Sequence, residues 1–285
     1  MPASSFGIRR ELRALVTGGS GALGSEICRA LGAAGGRVAV GYLTRGDAAD
    51  HVAAGIGAGG SDAFPIGFDV ADPRAAQTAV ASVAERLGGL DVLVHAAAAN
   101  ADGLLGDLAP DQIERLLQVN VAGAMYTVRA ALPWLLQSGR GRVILMSSVL
   151  ATRSTPGASA YAASKGAIEA LTRSLAAELG SKRITVNAIA PGFVDAGLGR
   201  GPVHAAGGGL GTLVPARRPG RPGEIAAVAR FLVSEEAAYV SGIVVPVDGG
   251  FLASARLLDR SPVTDRRGRE DREVARISER ADASA

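Results

Sequence analysis

The 285-residue chain is 48% hydrophobic and 20% charged, an ordinary balance for a sequence that buries a large core. Its formal net charge is +3 and its pI near 9.4, but no basic stripe is interleaved with aromatics, which argues against nucleic-acid binding. No run approaches roughly 18 uninterrupted apolar residues, the N-terminus lacks an apolar signal core, Cys28 is the lone cysteine, and His51, His95 and His204 are widely spaced; these features speak against a membrane span, secretion, an internal disulfide and a metal site, and a cytoplasmic location is expected.

Short apolar runs bounded by Gly, Asp, Pro or Ser alternate with helical patterns. That alternation predicts an α/β fold: a doubly wound parallel sheet (Rossmann fold), three-layer α/β/α, in a single domain over 12–252. Residues 1–11 read as an extension.

The first strand is expected at 14–17, with a glycine turn and a helix over 22–34 directly after it. Glycines allow close backbone approach to a pyrophosphate, and a helix N-terminus favours its charge. Gly18, Ser20, Gly21, Leu23 and Gly24 are therefore candidate cofactor contacts. The second strand, 38–42, ends where NAD-binding folds place an acid for the ribose 2′-hydroxyl; Tyr42 stands there instead, with Thr44 and Arg45 close behind. A guanidinium attracts a 2′-phosphate that an acid would repel, so NADPH/NADP+ is the expected cofactor. The alternative is an Arg45 that points only to solvent.

Further strands are expected at 63–68, 92–95, 143–147, 185–189 and 244–247, and helices at 73–87, 111–137, 161–179 and 222–233. Asp72-Pro73 and Arg221-Pro222 mark helix starts. The glycine-rich segment from 197 to about 215 reads as a flap over a ligand site, or as an insertion without a role. Residues 253–285 mix many arginines and acids with few large apolar groups and read as a disordered tail.

Tyr161 and Lys165 stand four residues apart, which puts a phenol and an ammonium on one helix face, and Ser148 lies thirteen residues before the tyrosine. An ordinary phenol titrates near about 10, and a neighbouring cation lowers that value. The pair reads as a tuned acid/base for an alcohol or a developing alkoxide. Taken alone, it reads first as an incidental pair on a surface helix, and the rest of the chain reverses that.

Together these residues resemble the short-chain dehydrogenase/reductase family, and within it the 3-oxoacyl-carrier-protein reductase type, from about Ala14 to Phe251. The resemblance implies that Thr17-Gly18-x-x-Gly21-x-x-Gly24 is the cofactor turn and that Asp69 and Val70 hold the adenine edge. It likewise makes Ala97 a cofactor contact and implies that Pro191, Gly192 and Val194 hold the nicotinamide amide. Asn120, Ser148, Tyr161 and Lys165 match the family's catalytic tetrad: Tyr161 as proton donor, Lys165 lowering its pKa and binding the nicotinamide ribose, Ser148 fixing the carbonyl, Asn120 holding a relay water. Asp248-Gly249-Gly250 matches the usual end of the last strand.

Four features depart from the family pattern. Ala22 stands where a glycine is usual, so Gly21 is expected to carry the backbone freedom. His95-Ala96-Ala97-Ala98 replaces an Asn-Asn-Ala-Gly segment, with His95 expected in a structural role. Ala196 replaces a threonine, and the flap is unusually rich in glycine. The implied reaction is NADPH-dependent reduction of a ketone, with a 3-oxoacyl thioester or polyketide-like substrate in a pocket that includes Leu150, Arg153 and Phe193. Arg140, Arg142, Lys182 and Arg183 would meet an acidic acyl carrier protein, although surface cations are also ordinary solubility features. A homo-oligomer, tetramer or dimer, is implied through the helices holding Asn120 and Tyr161. The rivals are an NAD(P)-dependent dehydrogenase oxidising a secondary alcohol, sugar or dihydrodiol, and a non-catalytic NADP(H)-sensing protein.

Overall fold

The computed structural model describes residues 12–199 and 213–254. Seven strands form one all-parallel sheet: β1 (Arg13–Thr17), β2 (Arg37–Tyr42), β3 (Ala63–Gly67), β4 (Val92–His95), β5 (Arg142–Met146), β6 (Thr185–Pro191) and β7 (Val244–Val247). Their order is β3-β2-β1-β4-β5-β6-β7. The chain reverses direction across the sheet between β1 and β4, which are paired with Leu15 opposite Leu93. In such sheets the crevice beyond the carboxyl ends at this switch point is where ligands bind.

Side-chain alternation along the strands builds two cores. Ala14, Val16, Val38, Val40, Val92 and Val94 face one way, onto α1 (Ala22–Ala33), α2 (Gly46–Ala58) and α7 (Pro222–Val233). Leu15, Ala39, Leu93, Val143 and Leu145 face the other way, onto α3 (Pro73–Leu87), α5 (Gly123–Ser138) and α6 (Ser159–Leu179). This is the expected three-layer arrangement, and every predicted strand and helix is present with ends shifted by at most a few residues.

Helix ends follow the expected chemistry. Asp72 accepts hydrogen bonds from the Arg74 and Ala75 amides at 2.8 and 3.2 Å, with Pro73 in the first turn, and Gly88 closes α3 in the left-handed region at φ 74°. At α7, Glu224 accepts from the Arg221 amide at 2.8 Å.

Two elements differ from the reading of the sequence. Helix α2 was not expected. Gly55 and Gly57 weaken its propensity, but Ala49, Val52, Ala53 and Ile56 are buried at helical spacing. Ile56 packs so closely on α1 that a Cβ at Gly32 would lie 2.5 Å from its Cγ2. The helix expected at 111–137 is also not uniform. It comprises α4 (Pro110–Leu117), a π-helical turn over Gln118–Ala122, and then α5.

The unit ending at Leu252 holds the whole sheet. The N-terminal extension, most of the flap (200–212) and the charged tail from 255 onward lie outside the described residues. No helix among the described residues is long and apolar enough to cross a membrane. The described residues also hold no group of three or more metal-ligating side chains.

Candidate active site

A cleft of about 1000 Å³ opens over the carboxyl ends of the strands at the switch point. Its floor is the turn after β1. Gly18 takes φ 63°, and a Cβ there would sit 2.8 Å from the Ala96 carbonyl and the Ala97 backbone. A Cβ at Gly24 would reach 2.2 Å from the Gly18 carbonyl, so only glycine lets α1 start this close to the turn. Gly21, expected to carry the freedom that Ala22 lacks, instead adopts ordinary extended backbone (φ −80°, ψ 167°). The positive φ belongs to Gly18, because that is where the chain must turn beneath the helix. The result is a backbone cradle under a helix N-terminus, which fits a pyrophosphate.

Beyond the cradle, Tyr42, Thr44 and Arg45 line the cleft at the end of β2. The exposed Arg45 guanidinium bonds to the Ser20 carbonyl of the turn. Asp69 and Val70 line the same end. One Asp69 oxygen pairs with Arg115 at 2.9 Å, and the other accepts from the Ala71 amide at 2.9 Å. Ser20, Leu23 and Ala97 also line the cleft, as do Pro191, Gly192 and Val194 after β6. Gly192 is forced by contact: a Cβ there would come 2.7 Å from the Asp248 Cα. Asp248 accepts from the Gly250 and Leu252 amides at 2.9 and 2.8 Å, so that motif is a turn that backs the cleft.

On the opposite wall, Ser148 lies two residues beyond β5, and its hydroxyl accepts from the Leu150 amide at 3.2 Å. Tyr161, from the first turn of α6, hydrogen-bonds Ser148. Lys165, one turn on and only 3% exposed, stands 5.4 Å from the centre of the Tyr161 ring and donates to the Met146 carbonyl at 2.8 Å. The three expected reactive side chains thus converge on one wall.

Electrostatics correct one expectation. Burial pushes the Tyr161 phenol up to about 12; the Ser148 hydrogen bond opposes this and the Asp102 charge adds to it. Burial outweighs the neighbouring Lys165, which lies over the ring with its ammonium on the Met146 carbonyl, and burial brings that ammonium down to about 8. The phenol is held protonated at neutral pH.

Asn120 does not line the cleft. Its amide donates to the Ala99 carbonyl (3.1 Å) and to the Ser164 hydroxyl (3.0 Å), and its oxygen accepts from the Ala99 amide (2.8 Å). Both amide hydrogens are used, so the side chain clamps the strand β4 exit to α6. The π turn that carries it aims the amide inward at this contact. His95 takes the structural place expected of it. Its Nδ1 lies 3.2 Å from the Thr17 hydroxyl and 3.0 Å from the Thr127 hydroxyl. Burial, with Lys165 adding, lowers its pKa to about 3, so the imidazole is neutral.

Of the expected substrate residues, Leu150 and Phe193 line the cleft and Arg153 does not. Arg153 stacks over the Phe251 ring at 4.9 Å and donates to the Phe251 carbonyl at 3.2 Å, while Phe251 meets Phe193 edge-on at 5.2 Å. Arg140 and Arg142 sit at the amino end of β5, the sheet edge opposite Ser148. Arg140 pairs with Asp91 at 3.3 Å, and Arg142 is 5% exposed and bonds the Arg140 and Gly141 carbonyls. Neither surrounds the cleft mouth. Lys182 and Arg183 precede β6 at that same edge. The sequence reading missed Asp102 and the 155–157 loop as lining groups; they lie on connections with no periodic signal.

A doubly wound sheet with a glycine cradle and a Ser/Tyr/Lys wall at its carboxyl edge is the architecture of a nucleotide-dependent oxidoreductase. A family model described as enoyl-(acyl carrier protein) reductase matches residues 19–252. The chain is 37% identical over 250 residues to a versicolorin reductase of Emericella nidulans, a match covering 83% of this chain and 94% of that one. It is 35% identical over 236 residues to the 3-oxoacyl-[acyl-carrier-protein] reductase MabA of Mycobacterium tuberculosis (83% and 91%). Among solved structures, a short-chain dehydrogenase of Burkholderia cenocepacia in complex with NADP superposes with a TM-score of 0.81 at 38% identity, over 86% of this chain and all of that one. The chain belongs to the short-chain dehydrogenase/reductase family.

Proposed function

We propose that the protein is an NADPH-dependent ketoreductase that converts a ketone to a secondary alcohol, with a 3-oxoacyl thioester or polyketide-like substrate. The carrying observation is the protonated phenol of Tyr161 hydrogen-bonded to Ser148 beside the buried ammonium of Lys165. Support also comes from relatives whose names include 3-oxoacyl-carrier-protein and versicolorin reductases.

The cradle fits the cofactor: glycine at 18 and 24 lets the turn pack directly on the Ala96–Ala97 backbone and under the start of α1, so that a helix N-terminus faces the cleft where a pyrophosphate would sit. Gly18, Ser20, Gly21, Leu23 and Gly24 would hold the phosphates. Arg45 with Tyr42 and Thr44 would take the 2′-phosphate end, Asp69, Val70 and Ala97 the adenine side, and Pro191, Gly192 and Val194 the nicotinamide end, beside Tyr161 and Lys165. Bound there, NADPH supplies the hydride. Ser148 and Tyr161 orient the ketone oxygen by hydrogen bonds. As negative charge develops on that oxygen, Tyr161 transfers its proton to it, and Lys165 stabilises the phenolate left behind. Asn120 positions α6, and with it Tyr161 and Lys165, through Ser164.

Relatives named as reductases favour the reductase over the dehydrogenase reading, and the intact Ser148, Tyr161 and Lys165 disfavour a non-catalytic sensor. Assembly as a tetramer or dimer through α5 and α6, a cytoplasmic location, and presentation of the substrate on an acyl carrier protein complete the proposal.

Arg45→Ala tests the cofactor assignment. NADPH affinity should fall about 10- to 100-fold while NADH affinity changes little, as expected for one charge-assisted phosphate contact. Equal losses for the two cofactors in a binding titration would reject the assignment.

A further inference from the structure

Resting on the ketoreductase reading, we propose that Asp102 is a specificity-determining residue that selects uncharged carbonyl substrates, such as esters, thioesters and neutral aromatic ketones, against ketones bearing a free carboxylate.

The position is well fixed. Ala101 is buried in a cluster with Ala160 and Leu116, against which Tyr161 packs. On the other side, the Gly103 amide donates to the Gly157 carbonyl at 3.0 Å. Asp102 is thus held between two anchored neighbours and lines the cleft on the Tyr161 side. Its own side chain is exposed and makes no hydrogen bond or ion pair among the described residues. Its charge reaches the reacting end of the cleft, since it is one of the groups acting on the Tyr161 phenol.

Among the described residues no cation balances it there. Arg45 lies at the nucleotide end on the Ser20 carbonyl, Lys165 is turned to the Met146 carbonyl, and Arg153 is folded over Phe251. The cleft lining also includes the apolar side chains of Leu150, Pro156, Phe193 and Leu198. A carboxylate near the reacting carbonyl would meet a like charge and apolar walls and would leave water without a new partner. An ester or thioester of the same skeleton loses nothing. A like-charge pair a few ångströms apart at a partly wet rim is worth about tenfold in selectivity.

The test compares ethyl acetoacetate with acetoacetate, which share a 3-oxo skeleton and differ in charge. Each is measured with NADPH as kcat/KM for the wild type, Asp102→Asn and Asp102→Lys, at low and high salt. The wild type should prefer the ester by about tenfold or more, and the gap should shrink at high salt. Asp102→Asn should narrow it about fivefold, through the KM of the acid, because any change in the Tyr161 phenol acts on both ketones alike and cancels in the ratio, and Asp102→Lys should narrow it further or invert it. A wild-type preference for the acid, or an ester-to-acid ratio unmoved in both variants, overturns the proposal. Absence of turnover with every ketone would sink the ketoreductase reading instead. Calorimetric binding of the same two ketones to the wild type and Asp102→Lys would then still read the charge preference, and equal affinities in both proteins would overturn it.

Discussion

Replacing Tyr161 by Phe should lower kcat for ketone reduction by about a thousandfold while leaving NADPH affinity within about twofold of the wild type. The reason is local. The phenol is the group that Ser148 hydrogen-bonds, and its ring stays packed in the Ala101–Leu116–Ala160 cluster after the oxygen is removed. Cofactor titration by fluorescence separates lost chemistry from lost folding, and near-normal turnover would remove the proton-donor role. The pH dependence follows from the same environment. With the phenol pushed up to about 12, the proton donor remains loaded across the neutral range. Reduction should instead decline as the pH rises through about 8, where Lys165 loses the charge that stabilises the developing phenolate. Alcohol oxidation draws on the phenolate and should climb over the same interval. Parallel declines in both directions would contradict this assignment.

The second large effect lies at the other edge of the sheet. Asp91, fully buried just before β4, accepts from the Arg13 amide (3.0 Å), Arg13 Nε (2.9 Å), Arg13 Nη2 (2.9 Å), the Ser138 hydroxyl (2.6 Å) and Arg140 Nε (3.3 Å). It ties β1 and β4 to the end of α5 and the approach to β5. Asp91→Ala should cost about 3–5 kcal/mol, because it leaves two guanidinium groups and an amide without their shared acceptor. Urea unfolding would read this as a lower midpoint with an unchanged slope, while kcat of the folded fraction stays near wild type. Burial alone would raise the Asp91 carboxyl, but the hydrogen bonds from Arg13 and Ser138 outweigh it and hold it well below the usual carboxylate range. A carboxyl lowered on folding contributes fully above its unfolded value, near about 4, and that contribution erodes as the pH falls below it. The wild type should therefore lose stability on acidification more steeply than Asp91→Ala. An unchanged unfolding midpoint in the variant would refute this account.

The parts of the molecule legible in the sequence are those written in short range. Strand positions, the glycine turn and the Tyr161–Lys165 spacing depend on residues within one turn or one strand of each other, and the structure keeps them. Helix α2 was illegible because Gly55 and Gly57 weaken the local signal, and its stability comes from Ile56 seated on Gly32, 24 positions away in the chain but adjacent in space. Orientation was harder still. Arg153 sits close in sequence to Ser148, but an aromatic face drew its guanidinium away from the cleft. Arg140 and Arg142 looked like surface cations until the sheet placed them at its amino edge against Asp91 and two carbonyls. The direction of the Tyr161 shift was misjudged because helical spacing reports proximity, while burial, which spacing does not report, is the largest influence on the phenol.

The π turn at Gln118–Ala122 has a consequence for how this helix tolerates change in length. A wide turn accommodates one residue more than an α-helical turn. Deleting a single residue there would let the helix close into continuous α form with α4 and α5 near their present faces, because the wide turn sweeps about the same angle as an α-helical turn with one residue fewer. Leu116, now 1% exposed between Ala101 and Ala160, would keep its seat, whereas Asn120 would lose the aim that reaches Ser164. A one-residue deletion in this stretch should therefore disturb the Tyr161 wall through the Asn120 clamp while α4 stays packed.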